Sequence, residues 1–289
     1  MNDTRYIPTM TRAGLAPTHA VEAVDEYGHR RELQVAGERP LTLYIDKKEI
    51  VTLMTLGTQP EALALGYLRN QGLIERIEDI KAVQVDWETE SVVVTTRNGV
   101  ARLEERTAHR TVTTGCGQGT VFGNIMEQLE RVRLPRVRLL QSAIYDLLTN
   151  LNRHNEIYRD AGAVHGCALC RGTEVLMFVE DVGRHNAADA IAGRMWLEGL
   201  DGADKIFYTT GRLTSEMVIK VAQMGIPILL SRSGVTQMGL DLARKVGVTM
   251  IARAKGTHFL VYHGASDLEF DVRLTARPGD RKETRSESA

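Results

Sequence analysis

Cys116 lies in the run Thr113-Thr114-Gly115-Cys116-Gly117-Gln118-Gly119-Thr120, with a glycine on either side. Glycine removes side-chain cover and permits positive φ, so a thiolate placed there can be approached by bulky reactants. The setting suits thiol chemistry, and it equally suits an inert loop cysteine. The other two cysteines stand in Cys167-Ala168-Leu169-Cys170, just after His165. A metal could use that spacing, but only three ligands cluster and the usual second pair is missing, so no metal is expected. The spacing is also that of thioredoxin-type redox sites, here without an aromatic or proline setting. Small apolar neighbours suit a buried strand, and core packing is the expectation for both thiols.

A second constellation is cationic. Four predicted strand ends run into Glu180-Asp181-Val182-Gly183-Arg184-His185-Asn186, Thr209-Thr210-Gly211-Arg212, Ser231-Arg232-Ser233-Gly234 and Arg253-Ala254-Lys255-Gly256. Each carries an arginine, and loops at the carboxyl ends of neighbouring strands gather along one rim of a sheet. Guanidinium groups match phosphate oxygens, glycines let backbone N–H groups approach, and a helix starting near Thr214 offers its N-terminus. The rim therefore reads as a pocket for a nucleotide or pyrophosphate, against the plainer reading that these arginines only solvate loop ends. No Walker loop and no Gly-x-Gly-x-x-Gly is present. His185 follows Glu180 by five residues and Asp181 by four. It is either a carboxylate-oriented imidazole for proton transfer or a tie between loop and helix start.

The elements that position these groups divide the chain. Residues 1–27 show no periodicity, and 269–289 end in a charged, polar tail, so both are expected to be mobile. Residues 28–115 read as an α+β domain with antiparallel strands. Its strands are expected at Leu33–Val35, Leu41–Ile45, Ile50–Leu53, Ala82–Trp87, Val92–Thr96 and, after an Asn98-Gly99 hairpin, Ala101–Leu103. One helix begins at Thr58 and Glu61, which have capping-box spacing around Pro60, and stops at Gly72. Residues 116–159 form the cysteine loop and a bridge of two helices, Val121–Val132 and Ser142–Leu151. Residues 160–268 alternate strand and helix, which predicts an α/β domain on a largely parallel sheet.

The 289 residues are 43% hydrophobic, and Lys+Arg 36 against Asp+Glu 37 leaves a net charge of −1. That balance gives no global attraction to nucleic acid or anionic membrane. No stretch has the length and apolarity of a signal peptide or membrane span, so a cytoplasmic protein with reduced thiols is expected.

Several long motifs, in order, carry a resemblance. They are Pro40-Leu41-Thr42-Leu43-Tyr44, Ala62-Leu63-Ala64-Leu65-Gly66-Tyr67-Leu68, Thr114-Gly115-Cys116-Gly117, the run 180–186, Gly211 to Met217 and Ile226 to Ser233. From about residue 28 to 264 the chain resembles the FdhD family of formate dehydrogenase accessory proteins. The resemblance implies a sulfurtransferase that takes persulfide sulfur from a cysteine desulfurase. It passes the sulfur to the bis-molybdopterin guanine dinucleotide molybdenum cofactor, bound as a substrate, before that cofactor enters the formate dehydrogenase catalytic subunit. It also implies a cytidine deaminase-like C-terminal fold and a homodimer. The family's catalytic cysteine maps onto Cys116, and its cofactor-binding stretch onto Arg253, Ala254, Lys255, Gly256, Thr257 and His258, with Arg212 and Arg232 on the same rim. Where the family pattern has Cys-x-x-Cys, this chain has Cys116-Gly117-Gln118-Gly119. The Pro-Cys-x-x-Cys of zinc deaminases is missing, so the implied fold does not bring zinc with it. A cofactor-binding chaperone without sulfur transfer and a thiol oxidoreductase using Cys167 and Cys170 are the alternatives.

Overall fold

The structure is a computed structural model that describes residues 5–100, 103–108, 110–113, 119–122, 129 and 132–273. Its first half runs β1 (Thr9–Met10), β2 (Thr18–Val24), β3 (Arg30–Ala36), β4 (Arg39–Ile45), β5 (Lys48–Thr55), α1 (Pro60–Asn70), β6 (Ile80–Asp86) and β7 (Ser91–Thr96). A middle stretch holds α2 (Leu103–Ala108), β8 (Arg110–Thr113), β9 (Gly119–Phe122), β10 (Leu139–Leu140), α3 (Gln141–Leu151) and α4 (Glu156–Ala161). The second half begins β11 (His165–Arg171), β12 (Glu174–Asp181), α5 (Arg184–Glu198), β13 (Ile206–Thr209) and α6 (Ser215–Gln223). It ends β14 (Ile228–Ser231), α7 (Gln237–Val246), β15 (Thr249–Lys255), β16 (His258–His263) and β17 (Leu268–Glu269).

The N-terminal sheet has the order β1-β6-β7-β4-β5. In β4 the alternate residues Leu41, Leu43 and Ile45 are fully buried, the period-2 pattern of a strand with one face on a core. That face is covered by α1. Pro60 opens this helix at a first-turn position whose N–H needs no partner, and Gly72, at φ 61, lies just past its end. The expected capping box does not form. The Glu61 carboxylate instead accepts the N–H of Ala13, and the Trp87 indole N–H donates to Ala13 O. The segment before residue 28, expected to be mobile, is thus built in: β1 pairs with β6, and β2 forms a hairpin with β3. Two further expectations fail. Leu103 opens a helix rather than ending a strand, and 119–122 pairs with 110–113 where a helix from Val121 was expected. Most of that expected helix lies outside the described residues.

The C-terminal sheet has the order β12-β11-β13-β14-β15-β16. Only β13, β14 and β15 are parallel to one another in adjacent pairs; β11 pairs antiparallel with both β12 and β13, and β16 with β15. The expectation of a largely parallel sheet is corrected to a mixed sheet with a parallel centre. Helices α6 and α7 supply the crossovers and pack on the face that α5 also covers. Thr236 caps α7 by accepting from Gly239 N–H at 3.2 Å, and Gly247, at φ 80, ends it. The opposite face is covered by α3 through Ile144, Leu147, Leu148 and Leu151.

The halves meet where α1 crosses α5. A Cβ added at Gly66 would stand 1.7 Å from Asp189 O, and one at Gly193 would stand 1.9 Å from Ala62 O. The two helix backbones therefore touch, and one apolar core runs from Leu41 through Leu65 and Ile191 to Met250. Polar groups flank the crossing: Arg69 donates to Ala192 O at 3.1 Å, and Asn70 to the Asp189 carboxylate at 2.7 Å.

Candidate functional site

Because β11 runs against its neighbours, its start meets the ends of β12, β13, β14 and β15 on one edge of the sheet. Backbone bonds stitch the loops there. Thr210 N–H donates to Gly166 O, Leu213 N–H to Gly234 O, and Arg253 N–H to Ser233 O, each at 2.9 Å. Ser231 Oγ donates to Gly211 O at 2.7 Å. A Cβ at Gly211 would lie 2.4 Å from Arg184 Cδ, so a larger residue there would displace the buried Arg184 side chain. The four loops picked out in the sequence are therefore adjacent.

A cavity of about 470 Å³ opens between this edge and the helices α3 and α4. On the sheet side it is lined by Tyr208, Thr210, Arg232, Ser233, Ala254, Lys255 and Gly256. Leu148, Asn152 and Tyr158 form the helical side. The Arg232 guanidinium lies over the Tyr158 ring, 5.4 Å from its centroid. Gly256, at φ 58, is the first central residue of the two-residue turn joining Lys255 to His258.

Of the eight cofactor-binding residues expected, Arg232, Ala254, Lys255 and Gly256 line this cavity. Arg212, Arg253, Thr257 and His258 are exposed and do not line it. Arg253, at φ 52, sits at a bulge in the β15–β16 pairing. The sequence reading missed Leu148, Asn152 and Tyr158, having taken these helices only as a bridge. The available signal was the polar run Asn152-Arg153-His154-Asn155, which separates the end of α3 from the start of α4.

Charge at the rim acts on two imidazoles. Burial, then Arg184, Arg232 and Arg212, pushes the half-buried His165 below the usual histidine range; its Nδ1 lies 3.3 Å from Thr210 Oγ1. His185 is pushed down to about 2 by burial, then by Lys220, Arg184, His165 and Arg212. Neither Glu180 nor Asp181 orients His185, contrary to one of the two sequence readings. Side chains alternate along β12, so the two carboxylates face opposite layers. Glu180 accepts the N–H groups of Ile157 and Tyr158 at 2.9 and 3.0 Å, holding the start of α4. Asp181 accepts from Thr55 Oγ1, from Leu56 and Gly183 N–H and from Asn186, gripping the end of β5. The carboxylate beside His185 is Glu216, 3.3 Å from Nε2. It belongs to a buried chain in which Lys220 Nζ lies 3.9 Å from Glu216 and 2.7 and 2.9 Å from the two Asp189 oxygens.

Cys116 lies outside the described residues. Cys167 and Cys170 are fully buried in β11 and fall in cores on opposite faces of the sheet. Burial raises the Cys167 thiol to about 12 and pushes Cys170 up as well. Thiols facing opposite ways and held protonated are poor redox partners, which weighs against the oxidoreductase alternative. Among the described residues no group of three or more His, Cys, Asp and Glu is arranged to hold a metal. His154-Asn155-Glu156 does spell the His-x-Glu half of a zinc deaminase signature, but the His154 ring stacks on Phe178 at 5.6 Å. Among the described residues no helix is long and apolar enough to cross a membrane.

The family model described as the FdhD/NarQ family matches residues 36–269. A sulfur carrier protein FdhD from Listeria monocytogenes serotype 4b is 30% identical over 237 residues, covering 81% of this chain and 90% of that protein. A sulfur carrier protein FdhD from Wolinella succinogenes is 29% identical over 231 residues, covering 79% and 80%. A crystal structure from Desulfotalea psychrophila, described as a formate dehydrogenase accessory protein, superposes with a TM-score of 0.70 at 26% identity. It covers 87% of this chain and 98% of its own.

Proposed function

Because this chain belongs to the FdhD/NarQ family, with sulfur carrier proteins among its relatives, we propose that it carries sulfur as a persulfide on Cys116. In this reading the Cys116 thiolate attacks the outer sulfur of a persulfide on a cysteine desulfurase. The S–S bond there breaks, a new one forms on Cys116, and the desulfurase departs as its thiolate. One sulfur–sulfur bond replaces another, so the step needs no oxidant. The Cys116 S–S bond would then break with the Cys116 thiolate as leaving group, and the sulfur would pass to the bis-molybdopterin guanine dinucleotide molybdenum cofactor, a substrate destined for the catalytic subunit of formate dehydrogenase. The cofactor's reduced metal would supply the two electrons that bring sulfur to the sulfide level.

The observation that carries the reading, beyond family membership, is the cavity at the sheet edge. Its volume of about 470 Å³ lies within the usual range for small-molecule sites, and Arg232 and Lys255 supply charge for the phosphates of one guanine nucleotide half. A cytoplasmic homodimer with a cytidine deaminase-like C-terminal sheet belongs to the same proposal. The mixed strand order supports the fold assignment.

The test is incubation with a cysteine desulfurase and cysteine, followed by mass analysis of intact protein and peptides. One added sulfur is expected on the Cys116 peptide, with Cys167 and Cys170 unmodified until the protein is unfolded. Cys116→Ser should abolish both loading and maturation of formate dehydrogenase. Sulfur mapping to Cys167 or Cys170 would refute the assignment. Maturation that survives Cys116→Ser would make the protein a cofactor-binding chaperone.

A further inference from the structure

Tyr158 takes no part in the sulfur step, yet it stands on the wall of the cavity with 45% of its surface exposed. Its backbone is fixed by the Glu180 carboxylate, and the Arg232 guanidinium lies over its ring. Elsewhere in the same cavity are Lys255 and the Gly256 turn, where charge and an accessible backbone suit phosphate oxygens. An aromatic wall and a cationic wall in one cavity match the two parts of a nucleotide, a planar base and a pyrophosphate.

We propose that Tyr158 is the base-stacking residue of this cavity through the ring face that Arg232 does not cover, and that Lys255 and the Gly256 turn, with the charge of Arg232, hold the phosphates. This rests on the nucleotide reading above, which assigns partners to the phosphates and none to the base. Stacking reads the π face and not the hydrogen-bonding edge, so Tyr158 favours any purine equally. Preference for guanine over adenine has to come from other groups on the lining.

Calorimetry with GDP, ADP and inorganic pyrophosphate tests the assignment. Tyr158→Ala is expected to weaken GDP and ADP alike by about tenfold, within the range known for loss of one base–aromatic stack, and to leave pyrophosphate unchanged. Tyr158→Phe should bind like the parent. Tyr158→Leu, which keeps apolar bulk without a π face, should behave like Tyr158→Ala and guards against a folding defect in that variant. Lys255→Ala should weaken all three ligands. The proposal is overturned if the parent binds GDP and the Ala and Leu variants bind it equally well, or if they lose pyrophosphate as strongly as GDP. A parent that binds neither GDP nor pyrophosphate at about millimolar concentration removes the nucleotide reading itself, and this proposal with it.

Discussion

Lys220→Met removes the one lysine joining two buried carboxylates. Its ammonium lies 2.7 and 2.9 Å from the oxygens of Asp189 and 3.9 Å from Glu216, and the side chains of all three are at most 5% exposed. Methionine keeps the length and most of the volume, so the change isolates charge from packing. Among the described residues Asp189 would keep the Asn70 amide at 2.7 Å as its side-chain partner, and burial already pushes its carboxyl above the usual range. Breaking a buried pair by removing one partner costs about 3–5 kcal/mol. With two carboxylates sharing this cation, about 4 kcal/mol is expected, read as a fall in the urea midpoint at unchanged slope. The double variant Asp189→Leu/Lys220→Met removes both charges of the close pair and should recover most of the loss. A single-variant cost below about 1 kcal/mol would show that water reaches the pair, and the reasoning would fail.

Two further outcomes follow from the same packing. Gly66→Ala should force α1 and α5 apart, because the new methyl would stand 1.7 Å from a backbone oxygen that no rotamer can move. A loss of about 3 kcal/mol or more, with a lower melting temperature, is expected, and an unchanged melt would contradict the backbone contact. For pH, His185 has a folded pKa near 2 against 6.5 unfolded, so below about pH 6.5 the unfolded state takes up a proton that the native state refuses. Its contribution to stability is present above pH 6.5 and falls by about 1.4 kcal/mol per unit below it. Glu180, Asp181 and Asp189 are raised and act the other way, gaining stability as pH falls through their folded values. The slope difference between the parent and His185→Gln in urea titrations from pH 7 to 5 isolates the histidine; identical slopes would refute it.

The elements legible in the sequence were those whose cues are local. Pro60 and Gly72 bracket α1, and the rim loops followed from apolar runs ending in Gly and Arg. Non-local contacts decided what was missed. Glu61 has the spacing of a capping box, but a distant N–H from Ala13 takes its carboxylate. Strand β2 exposes most of both faces, so it lacks the alternation that marks a strand on a core. Alternating strands and helices suggest a parallel sheet, and that held for β13, β14 and β15; the β11–β12 hairpin and β16 add antiparallel edges without breaking the rhythm. His185 was matched with carboxylates near it in sequence, whereas its neighbour in space, Glu216, is one helix away. Tyr158 carries no motif, and only the three-dimensional arrangement places it opposite Lys255.

The adjacent carboxylates that end β12 act as a double-sided clasp. Asp181 fastens the sheet to the end of β5 in the N-terminal half, and Glu180, pointing the other way, fastens it to the peptide that carries Tyr158. Only one peptide unit separates the two grips, so the N-terminal half and the aromatic wall are anchored to the same point of the sheet. Among the described residues the first half of the chain lines no part of the cavity, yet through Asp181 it is tied to the strand whose next carboxylate holds the cavity's aromatic wall.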